Sequence, residues 1–137
     1  MKRLTITLLI LLITFSLTTG CARVEKEKKN QGLEAATNGY GKSIRWAYYE
    51  TAYGYLHPSL RNEKLPAGLD NVRVTSYEVI QPPVIKDKNQ TRAEQMVQIE
   101  YVLRDQQVIH KLSDRQDWRY DTETETWWLH TKLPAFK

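Results

Sequence analysis

His110 and Asp114 are the residues whose types and spacing best suit acid–base chemistry, because an imidazole or a carboxylate held in a cleft can pass a proton to a substrate. Four positions apart on an extended strand, they share a face. They are also about 13 Å apart, at about 3.3 Å per residue, too far to hydrogen-bond each other. Each would need another partner, and Tyr48 or Tyr55 from an upstream helix could supply one. The plainer reading of His110 is a strand histidine, at the surface or satisfied in the core. His57, directly before Pro58, reads as a helix-end histidine that can bond a free carbonyl. His130, beside Lys132, is expected at the surface. The histidines stand 53 and 20 residues apart, with no short-spaced pair, so no metal site is expected. No phosphate-cradling glycine loop and no Gly-x-Ser-x-Gly elbow occurs, and no cofactor is implied.

The only cysteine, Cys21, excludes an internal disulfide and a thiolate zinc cluster. It follows a cationic start, Lys2-Arg3, and an uncharged apolar run over residues 4–17. That is the order of a signal peptide. The run ends in threonine and glycine rather than extending as a stable membrane span. Thr18-Thr19-Gly20-Cys21 resembles the lipobox of bacterial lipoproteins, with Thr18 where that family usually has leucine. The resemblance implies cleavage between Gly20 and Cys21 and acylation of Cys21 by palmitate-like chains. Each buried methylene contributes about 0.8 kcal/mol, so several chains on one residue hold firmly where one would not. Simple secretion and an uncleaved anchor are the alternatives. Ala22, in place of aspartate, points by the same resemblance to the outer membrane facing the periplasm in a Gram-negative host. In a Gram-positive host it would mean the outer face of the plasma membrane.

A chain of 137 residues with 41% hydrophobic and 26% charged residues has room for one globular domain. The net charge of +4 falls to +2 once Lys2 and Arg3 are removed, and the cations are not clustered. No nucleic-acid partner is expected. The polar, mixed-charge stretch at 21–41 reads as a lipidated N-terminus and flexible tether, leaving 42–137 as the domain and 1–20 as the signal peptide.

Within the domain, Ser43 reads as the N-cap of a helix in which Trp46, Tyr49, Tyr53, Leu56 and Leu60 share one face. That face would pack on a sheet, with Tyr48 and Tyr55 at its edge as cavity or surface groups. The period then changes to two. Strands are expected at 72–81, 95–104, 108–121 and 127–133, with Pro82-Pro83 ending the first or marking a bulge or edge. Trp127 and Trp128 must face opposite ways, and an outward tryptophan would be a partner anchor. The result is an α+β fold: an N-terminal aromatic-rich helix packed on a curled antiparallel sheet of roughly four strands. A cone-shaped hollow is expected under the helix.

"YYETAYGYLHPSLR" and "DWRYDTETETWWL" resemble the first helix and closing hairpin of the nuclear transport factor 2-like, or cystatin-like, superfamily. That resemblance implies a pocket but no one activity, since the fold hosts isomerases, dehydratases, hydrolases and binders. The expected function is a membrane-anchored accessory or binding module, holding an envelope protein partner or a small apolar ligand. Tyr48, Tyr55, His110, Trp118 and Trp128 are its candidate pocket or partner residues. The alternatives are an enzyme using His110 or Asp114, or a structural subunit of a secretion or conjugation complex.

Overall fold

The computed structural model describes residues 18–62 and 64–137. Lys2-Arg3 and the apolar run over 4–17 lie outside the described residues. Among the described residues no helix is long and apolar enough to cross a membrane. Helix α1 runs Thr18–Arg45 and a short α2 runs Tyr49–Gly54. Two 3-10 turns, Pro58–Leu60 and Leu69–Asn71, lead into β1 (Val72–Ile85), β2 (Arg92–Leu103), β3 (Ile109–Asp121) and β4 (Thr126–Leu129). The four strands form one curled, open antiparallel sheet in the order β1-β2-β3-β4. The fold class is α+β.

The chain divides into two compact units, residues 1–31 and 32–137. In the first, the described residues are helical and almost wholly exposed. Lys29 pairs with Glu25 at 3.0 Å and the Gln31 amide donates to Glu27 at 3.3 Å. Such contacts one turn apart stabilise a helix by only about 0.2–0.5 kcal/mol each.

The second unit begins ten residues before the expected domain boundary at 42. Leu33, Thr37, Tyr40 and Ile44 are buried, and their spacing of four, three and four draws one helical face. The tether reading of 21–41 therefore fails for its second half: that stretch carries a buried stripe of α1. Tyr40 meets the Trp118 ring edge-on at 5.8 Å, which seats α1 on β3.

The expected single helix from Ser43 to about Leu56 or His57 is broken between Arg45 and Tyr49. Ser43 lies in the last turn of α1, where its hydroxyl donates to the Gly39 carbonyl at 2.8 Å, and it caps no N-terminus. The Ala47 N–H donates to Ile44 O at 3.2 Å and the Tyr48 N–H to Ser43 O at 2.8 Å. This paired closure, with Ala47 at φ 60°, is a Schellman motif whose left-handed position holds alanine instead of glycine. A left-handed alanine costs about 1 kcal/mol. The break throws Trp46 and Tyr48 outward, so of the expected stripe only Tyr49 and Leu56 become buried, with Ala52 buried beside them. Ala47→Gly should accordingly hold or raise the melting temperature, by up to about 1 kcal/mol of stability. A clear fall in thermal unfolding would contradict this account of the corner.

Period-two alternation holds in β2 and β3, while in β1 a register shift between Val74 and Ser76 brings Tyr77 to the inner side with Val72 and Val74. Ala93, Gln95, Val97, Ile99 and Tyr101 of β2 point inward, as do Asp114, Gln116 and Trp118 of β3. The outer face carries ion pairs: Arg92 with Asp117 and Glu94, Arg115 with Glu94, and Lys111 with Glu100. β1 continues past Pro82-Pro83, with a register shift between Gln81 and Val84. β4 stops at Leu129 rather than 133. Its outer rim is met by the chain after α2, since the Leu129 N–H donates to Tyr55 O and the His57 N–H to Leu129 O.

Candidate functional site

Beneath α1 the expected hollow is filled. Tyr40, Gln116 and Trp118 are fully buried there, and Tyr55 packs edge-on against both Tyr40 and Trp118. Tyr55 and Trp118 are thus parts of an aromatic plug. Gln116 organises the polar groups around it. Its amide nitrogen donates to Asp114 Oδ2 at 2.8 Å and to the Tyr77 hydroxyl at 2.9 Å, and its carbonyl oxygen accepts from Trp118 Nε1 at 3.2 Å. Burial raises the pKa of Asp114 above its ordinary value, against the pull of the Gln116 bond. Burial also pushes Tyr77 up to about 12 and Tyr40 well above its usual range, with the Asp114 charge adding to both. The Tyr40 hydroxyl has no hydrogen-bond partner among the described residues.

His110 lies on the same strand face but four positions away, where its ring stacks on Tyr101 at 5.2 Å. The strand separates the two groups, and the aromatic plug leaves Asp114 buried and held by Gln116. His110 and Asp114 form no acid–base pair.

The other two histidines meet on the outer side. His57 and His130 stack at 4.6 Å, and Trp128 meets His57 edge-on at 6.3 Å and lies under the Arg61 guanidinium at 5.6 Å. His57 caps the Pro58–Leu60 turn, its ring nitrogen accepting from the Ser59 N–H at 3.3 Å, so it serves the start of that turn and not the end of α2. His130 is half-buried rather than exposed. Burial, then Arg119 and His57, depress its pKa, with Asp117 opposing. Among the described residues no group of three potential metal ligands occurs.

Open concave surface lies instead at the corner between α1 and α2. One groove of about 670 Å³ runs between Tyr48, Tyr49 and Thr51 on one side and Leu65, Pro66 and Leu69 on the other. A second, of about 380 Å³, lies between Arg45, Trp46 and the start of β1. Ala47, Val72 and Arg104 line both. Trp46 and Tyr48 are 63% and 65% exposed there, large fractions for rings of this size. Arg45 lies over the Trp46 ring at 4.9 Å and donates to Val74 O at 2.8 Å. Of the five expected pocket residues, Tyr48 alone lines this surface. Trp46 carries the spacing of a core-facing stripe, but the helix break exposes it, and Arg45, Arg73 and Arg104 come from the end of a helix and two strand ends, with no local pattern joining them. An irregular 65–71 loop beside an aromatic helix was the available hint.

No protein-family model matches the chain, and no curated protein matches it in sequence.

Proposed function

We propose that this chain is a lipid-anchored, non-enzymatic binding module of the bacterial cell envelope. Cys21 would carry the acyl chains, and the α+β domain would hold a small apolar ligand or a partner segment in the groove beside α2. The observation that carries the anchor is the setting of Cys21: the only thiol, exposed, directly after Thr-Thr-Gly and the uncharged run. Ala22 favours the outer membrane facing the periplasm in a Gram-negative host. The architecture, with helix over a curled four-stranded sheet, is compatible with a reduced member of the nuclear transport factor 2-like group. The enzyme reading draws no support from the interior, where Asp114 is held by Gln116 and His110 stands apart.

Metabolic labelling with a palmitate analogue in a bacterial host tests the anchor. Wild type should incorporate label and fractionate with membranes. Cys21→Ser should lose essentially all label and accumulate as the larger precursor, while the domain from Gly32 keeps its melting temperature. Label persisting in Cys21→Ser, or absent from wild type, would overturn the assignment.

A further inference from the structure

We propose that the two grooves sharing Arg104 form one binding site for an anionic amphiphile, a molecule with a carboxylate or phosphate head and an apolar body. This deepens the binding-module reading and rests on its binding function, not on the lipid anchor. The head would lie between Arg45, Arg73 and Arg104, and the body along Leu65, Pro66, Leu69 and Val72.

The charge pattern carries the argument. The smaller groove is lined by three arginines and no acid. Among the described residues none of those three guanidiniums is paired with a carboxylate, whereas on the outer face Arg92, Arg115 and Arg119 each meet one. Helix-end electrostatics accounts for Arg45, in the last turn of α1, because a cation there offsets the helix dipole. It does not account for Arg73 on β1 or Arg104 just past β2, which converge on the same groove from the sheet. Guanidiniums bind carboxylate and phosphate through paired N–H donors, so a convergent set selects a multidentate oxyanion.

Two further features bear on the ligand. The Tyr49 hydroxyl is buried, lacks a hydrogen-bond partner among the described residues, and lies within the field of Arg104. Burial raises its pKa to about 12 in spite of that cation. It therefore stays a neutral donor at any physiological pH. The larger groove has the volume typical of small-molecule sites, roughly 300–1,000 Å³, and its wall of leucine, proline, alanine and valine offers an alkyl chain no polar partner. Glu50 and Asp70 also line the larger groove and disfavour an anionic head within it, whereas the smaller groove has no acid.

The test uses the full chain carrying Cys21→Ser, with Trp46 emission as readout and Trp46→Phe to assign it. The probes are decanoate, decyl phosphate, decanol and inorganic phosphate. Decanoate, decyl phosphate or both should shift the emission saturably, and decanol should bind about tenfold or more weakly. Arg73→Gln and Arg104→Gln should each weaken the charged probes by about tenfold while leaving decanol and the melting temperature unchanged. A preference between the two charged probes distinguishes a fatty-acid-like ligand from a phospholipid-derived one. Equal binding of decanol, or no effect of either arginine substitution, would overturn the anionic site while leaving the apolar groove standing. Inorganic phosphate binding as tightly as decyl phosphate would overturn the amphiphile. If no probe binds, this proposal and the ligand-binding reading fall together, and the lipid anchor is judged separately by the labelling of Cys21.

Discussion

Gly41→Ala is expected to destabilise the domain by about 2 kcal/mol, lowering the melting temperature by about 8–16 °C for a unit of this size. By helix propensity alone the change should go the other way, since alanine is favoured over glycine inside a helix by about 0.5–1 kcal/mol. The difference is space. A Cβ on Gly41 would stand 2.7 Å from Cε1 of Tyr77 and 3.1 Å from its Cζ. The ring cannot swing aside freely, because its hydroxyl accepts the 2.9 Å bond from Gln116 that also orders Asp114 and Trp118. Gly39→Ala should behave alike, because its Cβ would run into the Tyr55 hydroxyl. Gly54→Ala is the control: nothing lies within 4 Å and its φ is negative, so that variant should be neutral or slightly stabilised. Thermal unfolding followed by circular dichroism separates the three. A Gly41→Ala protein melting above wild type would show that α1 does not approach the sheet this closely.

Asp114→Asn is expected to stabilise the protein at pH 7 by about 1–2 kcal/mol. Asp114 is buried, and its described hydrogen-bond partner is the neutral amide of Gln116. The groups facing it are Tyr40 from α1 and Tyr77 from β1, neither of them a cation, and it raises the pKa of both. Its own pKa is raised in the folded state above the ordinary 3.8. Protonation is therefore favoured by folding. The stability this group supplies is fully present below its unfolded value and is lost as pH rises through the folded one. Asparagine keeps an acceptor for Gln116 and carries no charge. The two proteins should thus melt together near pH 3 and diverge as pH increases, with the variant higher. Glu94, Asp117 and Asp121 slope the other way: Arg115, for Glu94, and backbone N–H donors, for Asp121, hold those pKa values low. For Asp117 burial opposes, but Arg92 and Arg119 together prevail. The difference between the two proteins cancels these shared contributions. A variant less stable than wild type at pH 7 would mean that the Asp114 charge is compensated.

The sheet was legible because its signal is local. Val97, Ile99 and Tyr101 alternate with polar neighbours, and the side each one takes follows from the pleat. The start of the domain was harder to read. Leu33, Tyr40 and Ile44 carry helical spacing, but Thr37 fills the fourth position and Gly32, Gly39 and Gly41 lie among them. Glycines suggest flexibility when no partner is in view. Here two of them are where rings from α2's exit and β1 press on the helix, which only tertiary contact reveals. The corner at Ala47 was hidden for the opposite reason. The 43–61 stretch has good helical periodicity, and alanine gives no stop signal, so the reversal that exposes Trp46 and Tyr48 left no mark in composition. Arg45, Arg73 and Arg104 are separated by 28 and 31 residues, and only the folded chain gathers them.

Pro82 and Pro83 sit in β1, at the open rim of the sheet, where the register with β2 slips. Neither residue has an N–H to offer a further strand. Chains acylated at one end and confined to a membrane leaflet collide with their own copies far more often than chains free in solution. At that density a bare rim would invite copies to stitch together strand to strand. Two adjacent imino acids in a rim strand interrupt such stitching, which would keep copies of the domain separate under the acyl anchor proposed for Cys21.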